Sequence, residues 1–233
     1  MKHIAIVMAA GSGKRMGGDR PKQYLEIKGK PILYYPLKTL EDSFIDEIIL
    51  VTRREDISYC KEEIVDLYGF KKVTQIVPGG SERFESVFEG IKAVEDKSSY
   101  VYIHDGARPM LSKETLDNAK NDVERYRATV VAVPSKDTVK ISDKDGNIVS
   151  SPDRSLVWNA QTPQCFEYEL IYSSFIKMMD EISMGKKVNV TDDGQVCELY
   201  SDVSVHLTLG DYSNIKVTTP EDVSLVEKFL SNL

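Results

Sequence analysis

Residues 4–23 read Ile4-Ala5-Ile6-Val7-Met8-Ala9-Ala10-Gly11-Ser12-Gly13-Lys14-Arg15-Met16-Gly17-Gly18-Asp19-Arg20-Pro21-Lys22-Gln23. The apolar first part, rich in β-branched residues, predicts a buried strand, and this strand runs directly into a loop of glycines and small residues. Gly11 and Gly13 let backbone N–H groups approach a ligand without a Cβ in the way. The cations of the loop are Lys14, Arg15, Arg20 and Lys22. Their charges favour a polyanion such as a triphosphate, although a glycine turn with solvated charges remains the alternative.

The spacing of this loop disagrees with two common phosphate-binding loops. A Walker A loop requires G-x-x-x-x-G-K-[ST], whereas the Gly-Lys pair here is followed by Arg15. A dinucleotide fingerprint requires G-x-G-x-x-G, whereas these glycines give G-x-G-x-x-x-G. The next predicted strand, residues 48–51, is followed by Thr52 and not by an acidic residue for a ribose. An NAD-binding dehydrogenase is therefore a poor interpretation, and a loop that folds over a nucleotide's phosphates is a better one.

The composition predicts one large α/β domain spanning residues 1–233. The chain has 41% hydrophobic and 29% charged residues, and its net charge of −7 disfavours nucleic acid as the main partner. No apolar run approaches the length of a membrane span, and the first strand begins too early for a signal peptide. The three cysteines, Cys60, Cys165 and Cys197, form no C-x-x-C motif. They predict reduced thiols and a cytoplasmic location.

Strand and helix patterns alternate along most of the chain. This alternation predicts a Rossmann-like, mainly parallel twisted sheet with helices on both faces. Residues 134–155 differ, because two short apolar runs flank the turn Lys144-Asp145-Gly146 and predict an inserted β-hairpin. We call this segment the β-arm. Two strands alone are marginally stable, so the β-arm is expected to pack on a second subunit in a homodimer.

Ligands of open parallel sheets bind outside the carboxyl ends of the strands. This rule selects the loop that contains Gly11 and Gly13, which we call the first loop, and also residues 79–81, Asp105 and residues 211–216. It predicts that all four converge on one edge of the sheet. Asp105 is a hard oxygen ligand suited to Mg²⁺ bridging phosphates, with Asp211 as a possible second ligand. Each acid could instead cap a turn, and Gly79-Gly80 could be a simple tight turn. His104, at the end of a buried strand, is expected to be structural.

Ala9-Ala10-Gly11-Ser12-Gly13-Lys14-Arg15-Met16, followed by Pro21-Lys22-Gln23-Tyr24-Leu25, resembles the signature of the sugar-nucleotide pyrophosphorylase-like nucleotidyltransferases. Within them it is most similar to the 2-C-methyl-D-erythritol 4-phosphate cytidylyltransferase family of non-mevalonate isoprenoid biosynthesis. Later motifs agree in order along nearly the whole chain. The resemblance implies Mg²⁺-dependent transfer of a cytidylyl group from CTP to a methylerythritol phosphate, with release of pyrophosphate.

The resemblance also implies a role for individual residues. The first loop lies against the nucleotide through Ala9, Ala10, Gly11, Ser12 and Gly13. The catalytic cations that contact the triphosphate are Arg15, Lys22 and Lys216. The cytosine is held by Gly79, Gly80, Ser81 and Ser86. The metal ligand is Asp105. The acceptor contacts are Arg108, Asp137, Thr138, Arg154 and Thr191, to which we add Asp211. Thr138 and Arg154, on the β-arm, would reach the neighbouring subunit's site.

Two positions depart from the family pattern, since Gly106 and Gly194 stand where the family often has alanine. Both lie beside the expected acceptor site. The main rival is ribitol 5-phosphate cytidylyltransferase, a related family with the same reaction, but Ala9-Ala10-Gly11 and Ala107-Arg108 favour the erythritol branch. A non-catalytic nucleotide-sensing domain is the alternative from another class, and the set of cations expected at the leaving group argues against it.

Overall fold

The computed structural model of the chain describes residues 1–11 and 21–231. The strands, in chain order, are β1 (Lys2–Ala9), β2 (Glu26–Ile27), β3 (Lys30–Pro31), β4 (Glu47–Thr52), β5 (Val73–Pro78), β6 (Ser99–Asp105), β7 (Ala128–Pro134), β8 (Ile141–Ser142), β9 (Ile148–Ser150), β10 (Trp158–Glu167) and β11 (His206–Leu209). The helices are α1 (Tyr34–Glu41), α2 (Ile57–Tyr59, continued by a π-helix at Cys60–Asp66), α3 (Arg83–Lys92), α4 (Lys113–Tyr126), α5 (Tyr168–Ser183), α6 (Asp193–Tyr200) and α7 (Pro220–Ser231).

The main sheet has seven strands in the order β11-β7-β10-β6-β1-β4-β5. Neighbouring strands are parallel except for β10, which runs antiparallel to both β6 and β7. The predicted, mainly parallel α/β sheet is therefore confirmed. Nothing in the local pattern of residues 158–164 predicts β10, because this stretch is mostly polar and its pairing with β7 shifts register between Ala160 and Gln164.

The two faces of the sheet follow from alternation of side chains along β1. Ala5 and Val7 pack into a core that includes Leu37, Ile64 and Leu116, so α1, α4 and the π-helix cover this face. Ile4 and Ile6 point to the opposite face and enter a second core. That core is built from α3, α5 and α6 with Val87, Phe175 and Val196 among its members. Helices on both faces of the sheet are thus confirmed.

The strand order changes direction next to β1. From β1 the chain proceeds outward to β4 and β5, and it then returns to place β6 on the other side of β1. Adjacent chain crossovers therefore leave in opposite directions from the carboxyl ends of β1 and β6, and such a switch point opens a crevice. Ala10 and Gly11, directly after β1, and Asp105, at the end of β6, lie at this crevice.

The predicted hairpin is present as β8 and β9, which pair antiparallel around a turn in which Gly146 has φ 86°. Its apolar side chains are exposed, with Ile148 and Val149 at 64% and 66% and the following Leu156 at 80%. Pairing of the β-arm with a second subunit stays a prediction. No helix in residues 1–11 or 21–231 is long and apolar enough to cross a membrane.

Candidate active site

A cavity of about 440 Å³ lies at the carboxyl ends of the central strands, at the switch point beside β1. Eight of the residues selected from the sequence line it: Ala10, Gly11, Lys22, Gly80, Ser81, Ser86, Asp105 and Lys216. These residues come from four separate segments of the chain. Their convergence on one edge is the arrangement that the strand-end rule predicts.

The start of the first loop is held by Gln23, which the sequence analysis did not select as a site residue. Its Nε2 donates to the carbonyl oxygens of Ala9 (2.6 Å) and Gly11 (3.2 Å). Gln23 is buried and belongs to the short 3₁₀ turn Lys22–Tyr24. Ala9 itself is buried in the core and does not line the cavity. Ser12, Gly13 and Arg15 lie outside the described residues.

One wall of the cavity is formed by residues 79–86, which we call the 79–86 wall. The backbone N–H of Gly80 donates to Ser86 Oγ (3.1 Å), and the N–H and hydroxyl of Ser81 donate to Glu85 Oε2 (2.8 and 2.6 Å). A Cβ on Gly79 would lie 2.6 Å from Ser86 Oγ and 2.7 Å from Ala10 Cβ. Only glycine allows this close approach of the 79–86 wall to Ala10.

Lys22 and Lys216 come from distant parts of the sequence, and both line the cavity. Lys22 Nζ donates to the carbonyl oxygen of Val217 (2.8 Å), the residue after Lys216. Lys216 Nζ in turn lies 2.9 Å from Asp105 Oδ2. Two of the three predicted catalytic cations therefore share one small region. Such fixed cations are suited to stabilising negative charge on transferring phosphoryl groups.

Asp105 is a buried carboxylate among cations, with its side chain 10% exposed. Burial alone would raise its pKa, but Lys216, Arg83 and Arg108 outweigh burial and hold the pKa well below the usual range for aspartate. Its backbone N–H donates to Thr162 Oγ1 (3.1 Å), which fixes the end of β6 to β10. Asp105 is consequently ionised at neutral pH, as a hard metal requires of its ligand.

His104 has the structural role expected of it. It is fully buried, its Nδ1 lies 3.0 Å from Thr162 Oγ1, and its Nε2 lies 3.3 Å from the carbonyl oxygen of Arg108. Burial is the main cause that lowers its pKa to about 4. The imidazole is therefore neutral and has a partner at both nitrogens.

The predicted acceptor residues do not line this cavity. Arg108 has a side chain only 12% exposed, and its Nη1 donates to the carbonyl oxygen of Asn214 (2.8 Å). Asp211 accepts a hydrogen bond from the N–H of Ser213 (2.6 Å), as a turn-forming carboxylate does. The remaining four are exposed: Asp137, Thr138, Arg154 and Thr191. Within the described part of one chain, the structure therefore assembles the expected nucleotide side and not the acceptor side.

One further charged pair at the cavity was missed from the sequence. Arg83, which lines the cavity, makes a bidentate ion pair with Asp193, with Nη1–Oδ1 at 2.9 Å and Nη2–Oδ2 at 2.8 Å. Asp193 is 1% exposed. The two residues are distant in sequence, so no local pattern could have predicted their pairing.

Comparison with known proteins assigns the chain and its fold to a family. A family profile described as 2-C-methyl-D-erythritol 4-phosphate cytidylyltransferase matches residues 3–232. The chain belongs to this family. Members of the same name in Lachnoclostridium phytofermentans and Clostridium botulinum strain 657 are both 46% identical to it. The alignments cover 98% and 100% of this chain and 96% and 99% of those proteins.

Solved structures of cytidylyltransferases have the same architecture. A 4-diphosphocytidyl-2C-methyl-D-erythritol synthase from Anaerococcus prevotii superposes with a TM-score of 0.85 at 38% identity, over 99% of this chain and 96% of that one. A 2-C-methyl-D-erythritol 4-phosphate cytidylyltransferase from Francisella tularensis gives a TM-score of 0.78 at 25% identity over 98% of this chain and 99% of that one. The resemblance found in the sequence is confirmed, and the ribitol branch is not favoured.

Proposed function

We propose that this chain transfers the cytidylyl group of CTP to 2-C-methyl-D-erythritol 4-phosphate, releasing pyrophosphate, as a step in isoprenoid precursor biosynthesis. The observation that supports this most strongly is the convergence of Lys22, Lys216 and Asp105 on a cavity that is also lined by the 79–86 wall. Full-length family membership supplies the nucleotide and the acceptor. Three buried free cysteines suit a reducing compartment, and we propose the cytoplasm.

The reaction needs no general base from the protein. The second pKa of a phosphate monoester is about 6, so the acceptor's phosphate is already largely a dianion at neutral pH. One of its oxygens attacks the α-phosphorus of CTP, a new P–O bond forms, and the bond from the α-phosphorus to the bridging oxygen breaks as pyrophosphate leaves. The protein's contribution is to position the two substrates and to stabilise the charge.

We assign this charge stabilisation to Lys22 and Lys216, together with Arg15 from the first loop. Lys22 is held by the carbonyl oxygen of Val217 and Lys216 by Asp105, so both ammonium groups occupy defined positions beside the cavity. Pre-positioned cations stabilise the pentacovalent transition state without reorganising at the moment of reaction. Gly79, Gly80, Ser81 and Ser86 would hold the cytosine.

We further propose that the reaction depends on Mg²⁺, with Asp105 as the protein ligand. No three His, Cys, Asp or Glu side chains in residues 1–11 and 21–231 are grouped as a metal site built from protein alone. One buried, ionised carboxylate nevertheless fits Mg²⁺, which is usually held by one or two carboxylates and by the phosphates of its substrate. When bound, the ion would neutralise negative charge on the triphosphate.

The positions of the acceptor residues support a homodimer. Thr138 and Arg154 lie on the exposed β-arm and do not line their own chain's cavity; the β-arm exposes Ile148 and Val149, and Leu156 directly after it is also exposed. Burial of these apolar side chains against a second copy would remove them from water and bring Thr138 and Arg154 to that copy's cavity. The acceptor site would then be completed by two chains.

The reaction is tested with purified protein, Mg²⁺ and CTP, with pyrophosphate release followed for 2-C-methyl-D-erythritol 4-phosphate and ribitol 5-phosphate in parallel. We expect rapid release with the erythritol acceptor and little with ribitol. No release with either acceptor, despite measurable CTP binding, would support the nucleotide-sensing alternative and defeat the proposal.

A further inference from the structure

The ion pair between Arg83 and Asp193 connects two parts of the site whose relative position matters for the reaction. We infer that Arg83 and Asp193 are a positioning pair that holds the helix cap carrying Thr191 against the 79–86 wall, and thereby sets the acceptor relative to CTP. This inference rests on the proposed function, because it takes the wall as the nucleotide side and Thr191 as an acceptor contact.

Arg83 belongs to the nucleotide side. It is the first residue of α3, directly after the N-cap Glu82, and its side chain is 36% exposed. The N–H groups of Gly80 and Ser81 donate to Ser86 Oγ and Glu85 Oε2, and these bonds hold the two residues in place. Since these bonds do not involve Arg83, loss of its ion pair would leave the predicted cytosine contacts in place.

Asp193 belongs to the acceptor side. It is the first residue of α6, and Asp192 before it caps the helix by accepting from the N–H of Gln195 (2.9 Å). Thr191 donates from both its N–H and its hydroxyl to Gln195 Oε1 (2.8 and 3.1 Å). Residues 191–195 are therefore one hydrogen-bonded cap, so that a displacement of Asp193 displaces Thr191 with it.

The cap is held from two directions. Gln164 Oε1 on β10 accepts from the N–H groups of Asp193 (2.9 Å) and Gly194 (2.8 Å), which fixes the backbone of the cap to the sheet. Arg83 fixes its side chain to α3 with two parallel hydrogen bonds. A bidentate pair sets orientation as well as distance, and lysine or a neutral amide cannot reproduce both. The pair therefore determines how far the cap stands from the 79–86 wall.

The chain offers a matched control for this pair. Arg127 and Glu167 form another Arg–carboxylate ion pair, with Nε bonded to Oε2, at the opposite edge of the sheet. Glu167→Gln neutralises an acid in such a pair far from the cavity. Asp193→Asn makes the same chemical change at the cap, and Arg83→Lys keeps the charge while it removes the fork.

The experiment measures the CTP Kd by equilibrium dialysis, and the acceptor KM and kcat from pyrophosphate release. For Asp193→Asn and Arg83→Lys we expect the acceptor KM to rise by about tenfold or more, since small misplacements of substrate are costly. We expect the CTP Kd to change by less than about threefold, because the wall keeps its own hydrogen bonds. Glu167→Gln should resemble the parent in all three quantities.

An acceptor KM equal to the parent's in Arg83→Lys would overturn the inference, as would a CTP Kd that rises as much as the acceptor KM. If Asp193→Asn fails to fold, Arg83→Lys decides, because it leaves a cation beside the buried carboxylate. The proposed function is tested separately by the parent: a parent that releases no pyrophosphate overturns both proposals, whereas an active parent with unaltered variants overturns the positioning pair alone.

Discussion

Lys216 Nζ donates to Asp105 Oδ2 over 2.9 Å, so the proposed phosphate-binding cation and the proposed metal ligand are partners of each other. Lys216 is the principal cation that lowers the pKa of Asp105, ahead of Arg83 and Arg108. The two groups must therefore be considered together, because a substitution at either one changes the charge that the other experiences.

Asp105→Asn is expected to abolish the Mg²⁺ dependence of CTP binding. The parent should bind CTP more tightly with Mg²⁺ than with EDTA, whereas the variant should bind it equally under both conditions, because a neutral amide is a weaker ligand for a hard cation. Asp42→Asn, at an exposed ion pair with Lys38, is the control. A parent that retains full turnover in EDTA would contradict the metal proposal.

Lys216→Ala is expected to lower kcat by a factor of about 10² to 10³, equivalent to about 3–4 kcal/mol of lost transition-state stabilisation. The same range is expected for Lys22→Ala. Lys38→Ala, which removes an ammonium group bonded to Asp42 on the surface, should leave kcat unchanged. Steady-state pyrophosphate release measures all three variants. Turnover equal to the parent's in both Lys216→Ala and Lys22→Ala would refute their assigned roles.

Ser86→Ala is expected to weaken CTP binding by a factor of about 5, because it removes net hydrogen-bond energy of about 1 kcal/mol from the loop at Gly80. Ser86 Oγ accepts from Gly80 N–H (3.1 Å) and donates to the carbonyl oxygen of Glu82 (3.1 Å). Ser43 has an equivalent pair of bonds at the end of α1, so Ser43→Ala is the control. CTP and UTP differ only in the base, so a wall that binds cytosine should prefer CTP. If the ratio of CTP affinity to UTP affinity in Ser86→Ala equals that of the parent, this would argue against a cytosine-binding wall.

The β-arm is expected to hold two chains together. The parent should elute at twice the mass of one chain in size-exclusion chromatography with light scattering, and Ile148→Asp combined with Val149→Asp should elute at the mass of one chain, because charged side chains resist burial. Leu67→Asp changes an equally exposed apolar residue outside the β-arm and should leave the dimer intact. A parent that elutes as a single chain would contradict the proposal.

A shared acceptor site predicts complementation between two inactive variants. Lys216→Ala and Arg154→Ala, unfolded and refolded together, should regain part of the parent's activity. In a mixed dimer, one cavity then has its own Lys216 and receives Arg154 from the other chain. Activity that stays at the level of the separate variants, although mixed dimers form, would show that Arg154 does not act across the interface.

His3 is expected to make the stability of the protein fall in mildly acidic solution. It is buried, with Nδ1 2.8 Å from the hydroxyl of Tyr102, and burial followed by Lys120 lowers its pKa from 6.5 despite the nearby Glu124. A lowered pKa in the folded state means that the unfolded chain takes up the proton first. The neutral His3 side chain therefore contributes to the free energy of unfolding above about pH 6.5, the pKa of histidine in the unfolded chain, and this contribution is lost as the pH falls below that value.

This effect is measured by urea unfolding of the parent and of His3→Gln at about pH 7.5 and about pH 5.5. The free energy of unfolding should decrease more in the parent than in the variant over this range. An equal decrease in both proteins would assign the acid sensitivity to other groups.

Local sequence pattern was sufficient for most of the fold. The alternation of strands and helices predicted the mainly parallel sheet with helices on both faces. The strand β10 was not predictable, because its buried polar residues depend on remote partners. Gln164 bonds to the α6 cap, and Asn214 Nδ2 donates to the carbonyl oxygen of Thr162 (2.8 Å).

Most residues on the nucleotide side of the site could be predicted from the sequence, whereas the ion pairs among them could not. Residues that follow parallel strands share one edge whatever the loops do, so Gly80, Asp105 and Lys216 could be expected together before any distance was known. Which cation meets which carboxylate depends on separations through space and on burial. Tertiary packing alone decided that Lys216 pairs with Asp105 and that Arg83 pairs with Asp193. Charges distant in the sequence interact strongly only when folding brings them within a few ångströms and removes the water between them.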